Sequence, residues 1–177
     1  FNISRRRVTI STSGLVPQIL KLADHLNVSL AISLHAPFDE LRDELVPINR
    51  IHPIASLLDA CWYYAKKQNL KNVTFEYTLL KNVNDQSEHA KQLAKLLKNQ
   101  PAKVNLIPFN KFAGVVYEPT PADQINEFRN ILLESGIMAM IRTTRGNDIQ
   151  AACGQLSGTV NNLAKKSLGQ KLKKTLN

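Results

Sequence analysis

The sequence predicts an α/β protein whose parallel sheet forms an open or partial barrel. Strand-type and helix-type segments alternate along the chain, and the loops between them are short. This alternation is typical of right-handed βα units, of which we count about five. Polar side chains follow several of the strand-type segments, at the sheet edge where parallel α/β folds hold their ligands. Five units are fewer than the roughly eight of a closed barrel, so we expect an open or partial one.

The predicted strands are short, apolar and rich in β-branched residues, and turn-forming residues bound them. They are predicted over 8–11, 28–34, 73–80, 104–108 and 137–142. The second strand is an almost continuous apolar run, as expected of a strand that is covered on both faces.

The predicted helices repeat their apolar residues at three- and four-residue spacing. They are predicted over 16–26, 38–45, 53–68, 86–99 and 121–135, with a further basic helical segment over 159–176. The helix over 121–135 opens with Pro121, which is favoured in a first turn, and stops at Gly136. No glycine-rich dinucleotide-binding motif follows the first strand.

Composition is ordinary for a soluble globular protein. The chain has 177 residues, of which 44% are hydrophobic and 21% are charged, so it can bury a core of its own. No apolar run reaches the length of a membrane span and no signal-peptide pattern opens the chain, so we expect no membrane partner. The two cysteines, Cys61 and Cys153, are too few for a disulfide framework and fit a reducing cytoplasm.

The net charge of +9 and the sequence pI near 9.7 favour a polyanionic partner. Eight of the 23 basic residues lie in two clusters. One cluster is Arg5–Arg7, and the other contains Lys165, Lys166, Lys171, Lys173 and Lys174. Solvated surface charge and a frayed tail would explain either cluster alone. The two together indicate RNA or DNA as the partner.

Cys153 lies between Ala152 and Gly154, so a substrate or cofactor can come close to its sulfur. Arg142 and Arg145 are a few positions upstream, and nearby positive charge favours the thiolate, which is the reactive form of cysteine. The more common outcome for a free cysteine is burial as a small apolar residue. Local sequence alone leaves both interpretations open.

Two strand ends carry side chains that suit a polar ligand. Ser33 and His35 place a hydroxyl group and an imidazole two residues apart, and so on one face of a strand. They are suited to hydrogen-bond a cofactor, although loop backbone is the more common partner of such side chains. Asn110 follows another strand and offers a donor and an acceptor to a purine or a carboxylate, but an Asx turn explains it equally well.

The other polar residues and Cys61 are interpreted as structural. Asn82–Asp85 has the oxygen atoms of a metal site but no further carboxylates at loop spacing, so a helix N-cap region is the better interpretation. His25, His52 and His89 lack the spacing of a zinc site and are taken as surface residues. Cys61 lies at helical spacing and is predicted to be in the core. No metal ligands and no Ser-His-Asp or paired-carboxylate set can be assembled.

Four segments carry a resemblance to a known family. They are Arg5–Gly14 (RRRVTISTSG), Ala31–Pro37 (AISLHAP), Leu106–Asn110 (LIPFN) and Arg145–Leu156 (RGNDIQAACGQL). In this order and spacing they resemble the RlmN/Cfr family, radical S-adenosylmethionine enzymes that methylate adenine in RNA. The resemblance is closer to the RlmN branch, which methylates carbon 2 of an adenine in 23S rRNA and in some tRNAs. The Cfr branch, which methylates carbon 8 of the same rRNA nucleotide, stays open.

The resemblance implies a fold and a set of site residues. The fold is a partial (β/α) barrel of the radical S-adenosylmethionine type, with residues 1–158 as its C-terminal part and residues 159–177 as a basic helix or tail. Cys153 is implied to be the catalytic residue that takes a methyl group from one S-adenosylmethionine. The residues implied at the cofactor site are Ser11, Ser33, Leu34, His35 and Asn110.

The implied chemistry suits a target carbon that is electron-poor and cannot attack a sulfonium methyl group. A second S-adenosylmethionine is cleaved reductively at a four-iron four-sulfur cluster, and the deoxyadenosyl radical takes a hydrogen atom from the methyl group on Cys153. The methylene radical adds to the adenine, and a second cysteine resolves the adduct. The implied partners are 23S rRNA, tRNA and an electron donor of the flavodoxin type, in the cytoplasm.

One departure from the family pattern is large. The chain has no Cys-x-x-x-Cys-x-x-Cys motif, and its two cysteines cannot supply three cluster ligands. The chain also begins with Phe1 rather than methionine. We therefore expect it to be the C-terminal part of a longer methyltransferase and to be inactive alone. The competing hypothesis is a basic α/β module that only binds RNA, with Cys153 structural.

Overall fold

The computed structural model describes residues 8–112 and 114–142. The chain divides into two compact units, residues 1–111 with 115–144 and residues 112–114 with 145–177. The described helices and strands all belong to the first unit. Of the second unit, the described residues are Phe112 and Gly114, and both are exposed. Cys153, the predicted helix over 159–176 and the predicted boundary at residue 158 lie outside the described residues.

Strands and helices alternate as the sequence predicts. In chain order they are β1 (Thr9–Thr12), α1 (Val16–His25), β2 (Ser29–Ser33), α2 (Asp39–Leu45), α3 (Ile54–Lys67), β3 (Val73–Leu79), α4 (Ser87–Leu97), β4 (Ala102–Pro108), α5 (Ala122–Glu134) and β5 (Met138–Ile141), with a short 3-10 helix (Pro47–Arg50) after α2. Each end lies within two residues of its predicted position. Among the described residues, no helix is both long enough and apolar enough to cross a membrane.

The five strands form one parallel sheet in the order β1-β2-β3-β4-β5. Each strand therefore pairs with the strand that precedes it along the chain, and every crossover contains at least one helix. Parallel strands require crossovers of this kind because the chain must return to the same end of the sheet before the next strand begins. The predicted α/β fold is confirmed, and the carboxyl ends of all strands meet at one edge.

The hydrophobic core lies between one face of the sheet and the helices. Side chains of α1, α3, α4 and α5 contribute to it together with alternate residues of the strands. In β3, Val73, Phe75 and Tyr77 are fully buried in this core, whereas Thr74 and Glu76 lie on the opposite face. This two-residue alternation assigns one face of the sheet to packing and leaves the other for polar side chains.

The face of the sheet away from the helices is polar near its centre. Ser33 of β2 pairs in register with Glu76 of β3, and Glu76 pairs with Asn105 of β4. All three residues are half-buried. In β2, the central residues Leu30–Ile32 of the predicted apolar segment are buried, and the serine at each end of the strand is half-buried. The sheet thus presents hydrogen-bonding side chains on the face that the helices leave uncovered.

Candidate functional site

Three loops follow the carboxyl ends of β1, β2 and β3, and we call them the carboxyl-edge loops: residues 13–15, 34–38 and 80–86. Ser11 is an exposed residue of β1, and Ser33 is the half-buried last residue of β2. Ser11 pairs in register with Ala31, two residues before Ser33. The two serines therefore lie on adjacent strands and on the same face of the sheet, away from the helices.

His35 lies just beyond β2 in a left-handed backbone conformation, with a φ of 59°. This conformation is uncommon for a residue other than glycine and persists where surrounding contacts determine it. The main-chain oxygen of His35 accepts a hydrogen bond from Asn84 Nδ2 at 2.8 Å, and its ring Nδ1 accepts one from Thr78 N at 3.1 Å. The two-residue alternation predicted for Ser33 and His35 therefore does not continue past the end of β2.

The imidazole of His35 is neutral at ordinary pH. Burial, and to a smaller extent the charge of Arg42, lowers its pKa from 6.5 to about 4. Because the main-chain N–H of Thr78 donates to Nδ1, the proton of the neutral ring is on Nε2. His35 can therefore donate a hydrogen bond from Nε2 to a ligand while Nδ1 holds the ring in place.

Leu34 and Asn110 differ from the other predicted site residues. The side chain of Leu34 is fully buried in the core, and its main-chain N–H donates to Glu76 O at 3.0 Å. Its main-chain oxygen accepts hydrogen bonds from Ala36 N and Arg42 Nε, so both main-chain groups of Leu34 already have partners, and a ligand contact by this residue stays a prediction. Asn110 is exposed two residues beyond β4, and its ligand contact also stays a prediction.

Asn84 is a fully buried residue between β3 and α4. Its Nδ2 donates to His35 O and Thr78 O, both at 2.8 Å, and its Oδ1 accepts from Leu80 N at 2.7 Å. The N-cap of α4 is Gln86, so the segment lies next to the cap, as predicted. Asn84 itself does not cap the helix but joins two of the carboxyl-edge loops, which local sequence did not reveal.

Asp85 is buried next to Asn84, and its carboxylate is fully engaged with the protein. Its Oδ1 accepts hydrogen bonds from Asn82 N at 2.9 Å and Gln86 Nε2 at 2.8 Å. Its Oδ2 accepts one from Thr120 Oγ1 at 2.9 Å. Because the carboxylate of Asp85 binds protein groups, the structure supports the structural interpretation of Asn82–Asp85. In the part of the chain that the structure describes, no three His, Cys, Asp or Glu residues are placed to hold a metal ion.

Arg42 is a fully buried residue of α2 that the sequence analysis did not identify. Its guanidinium group donates to the main-chain oxygens of Ser13 and Ser33 at 2.7 and 3.1 Å. The sequence does contain a signal, because Arg42 follows Phe38 by four residues and precedes Leu45 by three, on the apolar side of a short helix. A charged residue at such a position is buried only where other groups satisfy its hydrogen bonds, because burying an unpaired charge is costly.

Cys61 is fully buried, and burial raises the pKa of its thiol to about 12, so it is an unreactive thiol in the core, as predicted. Cys153 lies outside the described residues. Among the histidines, His25 is exposed, whereas His52 and His89 are half-buried, and the ring of His89 lies against Phe38 at a centroid distance of 5.9 Å. The surface interpretation therefore holds for His25 and only in part for His52 and His89.

Comparison with known proteins finds homologues of this chain. No family model matches the chain. Two curated proteins named dual-specificity RNA methyltransferase RlmN, from Pseudomonas entomophila (strain L48) and Pseudomonas putida (strain W619), are each 54% identical to it over 168 residues. The chain is therefore a homologue of these RlmN proteins. These matches cover 94% of this chain and 44% of each relative, so the chain spans less than half the length of these RlmN proteins.

Two solved structures are similar to this chain. A radical SAM methyltransferase from Sphaerobacter thermophilus superimposes with a TM-score of 0.83 at 48% identity, over 87% of this chain and 45% of that one. A domain of pyruvate-formate lyase-activating enzyme from Bacteroides vulgatus ATCC 8482 gives a TM-score of 0.61 at 16% identity, over 76% of this chain and 80% of that one. The second likeness shows the fold alone, which is the parallel sheet with its helices.

Proposed function

We propose that this chain is part of a radical S-adenosylmethionine methyltransferase that methylates carbon 2 of an adenine in 23S rRNA and of an adenine in some tRNAs. The observation that carries the proposal is the 54% identity to proteins named dual-specificity RNA methyltransferase RlmN. The polar carboxyl edge of the sheet supports it, because parallel α/β folds bind their ligands at that edge. The alternative within the family is methylation of carbon 8, as in the Cfr branch.

The side chains at the carboxyl edge suit S-adenosylmethionine. This cofactor carries an adenine ring, ribose hydroxyls, an ammonium group and a carboxylate, and the hydroxyls of Ser11 and Ser33 can both donate and accept. Neutral His35 offers an N–H donor, and the amide of Asn110 offers a donor and an acceptor. When bound, S-adenosylmethionine supplies a methyl group and, on reductive cleavage, a radical that abstracts hydrogen. In this proposal the residues of this chain hold and orient it.

Cys153 is the methyl acceptor in this proposal. Its thiolate sulfur forms a bond to the methyl carbon of S-adenosylmethionine, and the bond between that carbon and the cofactor sulfur breaks. The small neighbours Ala152 and Gly154 permit close approach, and the basic residues upstream favour the thiolate. Cys61 cannot replace it, because its thiol is buried and has a pKa of about 12.

The four-iron four-sulfur cluster of such an enzyme does not fit the residues of this chain. Clusters of this kind are held by cysteine thiolates, and the chain has two cysteines, of which Cys61 is in the core. In this proposal the cluster ligands belong to a part of the protein outside these 177 residues.

We extend the proposal to an electron donor of the flavodoxin type and to a cytoplasmic location.

The net charge of +9 supports RNA as the substrate class, because basic residues near phosphates release counterions when they bind. In this proposal residues 1–158 are the barrel part, and residues 159–177 are a basic segment that contacts phosphates. Binding of the full-length protein to a 23S rRNA fragment should weaken steeply as the salt concentration rises. An affinity that does not depend on salt would argue against the phosphate contacts.

The test expresses the full-length protein in bacteria that lack their own gene of this family. Nucleosides from 23S rRNA and tRNA are then analysed by mass spectrometry, which separates 2-methyladenosine from 8-methyladenosine. We expect 2-methyladenosine from the wild type and from the control Cys61→Ala, and none from Cys153→Ala. The 8-methyl product would assign the chain to the Cfr branch. Methylation by Cys153→Ala would exclude the role of Cys153, and no methylation by the wild type would contradict the proposal.

A further inference from the structure

We infer that Arg42 is a positioning residue for the proposed S-adenosylmethionine site. Its guanidinium group fixes the carboxyl ends of β1 and β2 in the arrangement that the cofactor needs, without itself touching the cofactor. The inference deepens the proposed function and rests on it. It concerns a residue that neither the sequence patterns nor the family resemblance singled out.

The guanidinium group joins two neighbouring strand ends. Arg42 Nη2 donates to Ser13 O at 2.7 Å and to Ser33 O at 3.1 Å, so one nitrogen bridges the ends of β1 and β2. Arg42 Nε donates to Leu34 O at 3.0 Å, one residue further along. Three main-chain carbonyls therefore converge on one planar cation. This convergence sets the orientation of the chain at Ser33 and immediately before His35.

The other side of the guanidinium group is held by Asn49, which lies in the 3-10 helix and is 1% exposed. Arg42 Nη1 donates to Asn49 Oδ1 at 2.8 Å. Asn49 Nδ2 in turn donates to Asp39 Oδ1 at 2.9 Å and to Asp43 Oδ1 at 2.7 Å. Asp39 Oδ1 also accepts from Ile54 N at 2.8 Å. The orientation of Arg42 is thus fixed relative to the start of α3.

Packing alone does not account for a guanidinium group in this position. Arg42 is fully buried, and the ion pairs found among residues 8–112 and 114–142 do not include it. Burying an ion is costly, and apolar replacements of buried ionic groups are often neutral or stabilising. A planar fork of N–H donors, in contrast, gives the carbonyl groups around it one defined arrangement, which an apolar side chain cannot do.

Gly14 independently supports close packing of the first carboxyl-edge loop, residues 13–15, against Arg42. Gly14 has a φ of 114°, and its N–H donates to Thr12 Oγ1 at 3.2 Å. A Cβ atom at this position would lie 3.3 Å from Arg42 Nη2 and 3.1 Å from Leu57 Cδ2. The loop after β1 therefore lies so close to the guanidinium group that a Cβ atom at position 14 would require Arg42 or Leu57 to shift.

The test compares two buried hydrogen-bonding side chains at opposite ends of β2, in the full-length holoenzyme. Arg42→Lys keeps the charge and removes the planar fork. Tyr64→Phe is the matched control, because Tyr64 is fully buried and its hydroxyl is 3.0 and 2.9 Å from the oxygens of Leu26 and Val28, just before β2. The readouts are the melting temperature and the dissociation constant of S-adenosylmethionine, measured by equilibrium dialysis without turnover.

We expect Arg42→Lys to raise this dissociation constant by about tenfold, the size expected when shifted strand ends lose one hydrogen bond to the cofactor. Tyr64→Phe should lower the melting temperature and leave the dissociation constant unchanged. An unchanged dissociation constant in Arg42→Lys, or an equal rise in both variants, would overturn the inference. Failure of the wild-type holoenzyme to bind S-adenosylmethionine would instead overturn the proposed function, and the inference with it.

Asn49→Ala provides the same comparison if Arg42→Lys does not fold. It removes the acceptor of Arg42 Nη1 and leaves the guanidinium group in place. A raised dissociation constant relative to Tyr64→Phe supports the positioning role, and an unchanged one overturns it.

Discussion

The side-chain amide of Asn84 donates a hydrogen bond of 2.8 Å to the main-chain oxygen of His35, 49 residues earlier in the chain. Asn84 follows β3, whereas His35 follows β2. The main-chain N–H of Thr78 donates to the ring of the same histidine at 3.1 Å. The main-chain N–H of His35 also donates to Glu76 O at 3.4 Å, so three contacts from the neighbouring strand and its loop hold the left-handed backbone of His35.

Replacing Asn84 with alanine should destabilise the chain by about 2–4 kcal/mol, because it removes the three hydrogen bonds of a buried side chain and leaves backbone groups without partners. Urea unfolding followed by the fluorescence of Trp62, the only tryptophan of the chain, measures this loss. The control Tyr77→Phe removes one bond, from the Tyr77 hydroxyl to Asn84 O, and should cost about 1 kcal/mol. Equal losses in the two variants would contradict a special role for the Asn84 side chain.

Stability should decrease as the pH falls from 6.5 towards 4, the range over which the pKa of His35 is lowered on folding. Between these two pH values the unfolded chain binds a proton that the folded chain does not. The contribution of neutral His35 to the free energy of unfolding is therefore complete above pH 6.5 and is lost progressively as the pH falls towards 4. The loss is at most about 1.4 kcal/mol for each pKa unit. Burial also lowers the pKa of His89, which adds a loss of the same sign.

The variant His35→Asn isolates the contribution of His35 to this pH dependence. Asparagine tolerates the left-handed conformation and does not titrate, and His89 is unchanged. The free energy of unfolding is measured in urea at about pH 7 and about pH 4.5 for both proteins. The decrease should be smaller in the variant, and an equal decrease would show that His35 is not the responsible group.

Alanine at position 14 should destabilise the chain by about 2–6 kcal/mol, the sum of backbone strain at positive φ and of overpacking. The strain arises from the φ of 114°, and the overpacking from the close contact of a Cβ atom with Leu57 and Arg42. Gly136→Ala is the matched control, because its φ is 80° but a Cβ atom there meets nothing within 4 Å. It should cost about 1–2 kcal/mol, and the unfolding experiment should rank the two variants in this order.

The two cysteines should differ in their reaction with iodoacetamide. Cys61 is fully buried with a pKa of about 12, so it should stay unmodified until the chain is unfolded in urea. Cys153 is expected to react in the native protein, since the proposed function requires an accessible thiolate. Mass spectrometry of peptides from labelled native and unfolded samples gives both rates. Modification of Cys61 as fast as Cys153 in the native sample would refute this ordering.

The helices and strands could be predicted from the sequence because hydrophobic periodicity is a local property. In β3, the apolar residues Val73, Phe75 and Tyr77 alternate with the polar residues Thr74 and Glu76, and this pattern is visible without any knowledge of their partners. Ser33 and His35 could be proposed as site residues for a similar reason, since polar residues at the carboxyl end of a parallel strand indicate a ligand site.

The network that holds these residues could not be predicted, because its partners are distant in the sequence. Arg42 bonds to Ser13 across 29 residues, and Asn84 bonds to His35 across 49. Locally, an asparagine before a helix is most simply a cap, and an arginine in a short helix is most simply exposed. The neutral ring of His35 and its left-handed backbone depend on these distant contacts, so they too could be found only in the folded chain.

The order of the strands has a consequence for how the protein is made. Because each strand pairs with the one that precedes it, every newly synthesised strand meets a partner that has already left the ribosome. Arg42 follows β1 and β2, whose ends it joins, and Asn84 follows β2 and β3 in the same way. The pairings of β1 with β2 and of β2 with β3 can therefore be secured during translation, before the next strand emerges.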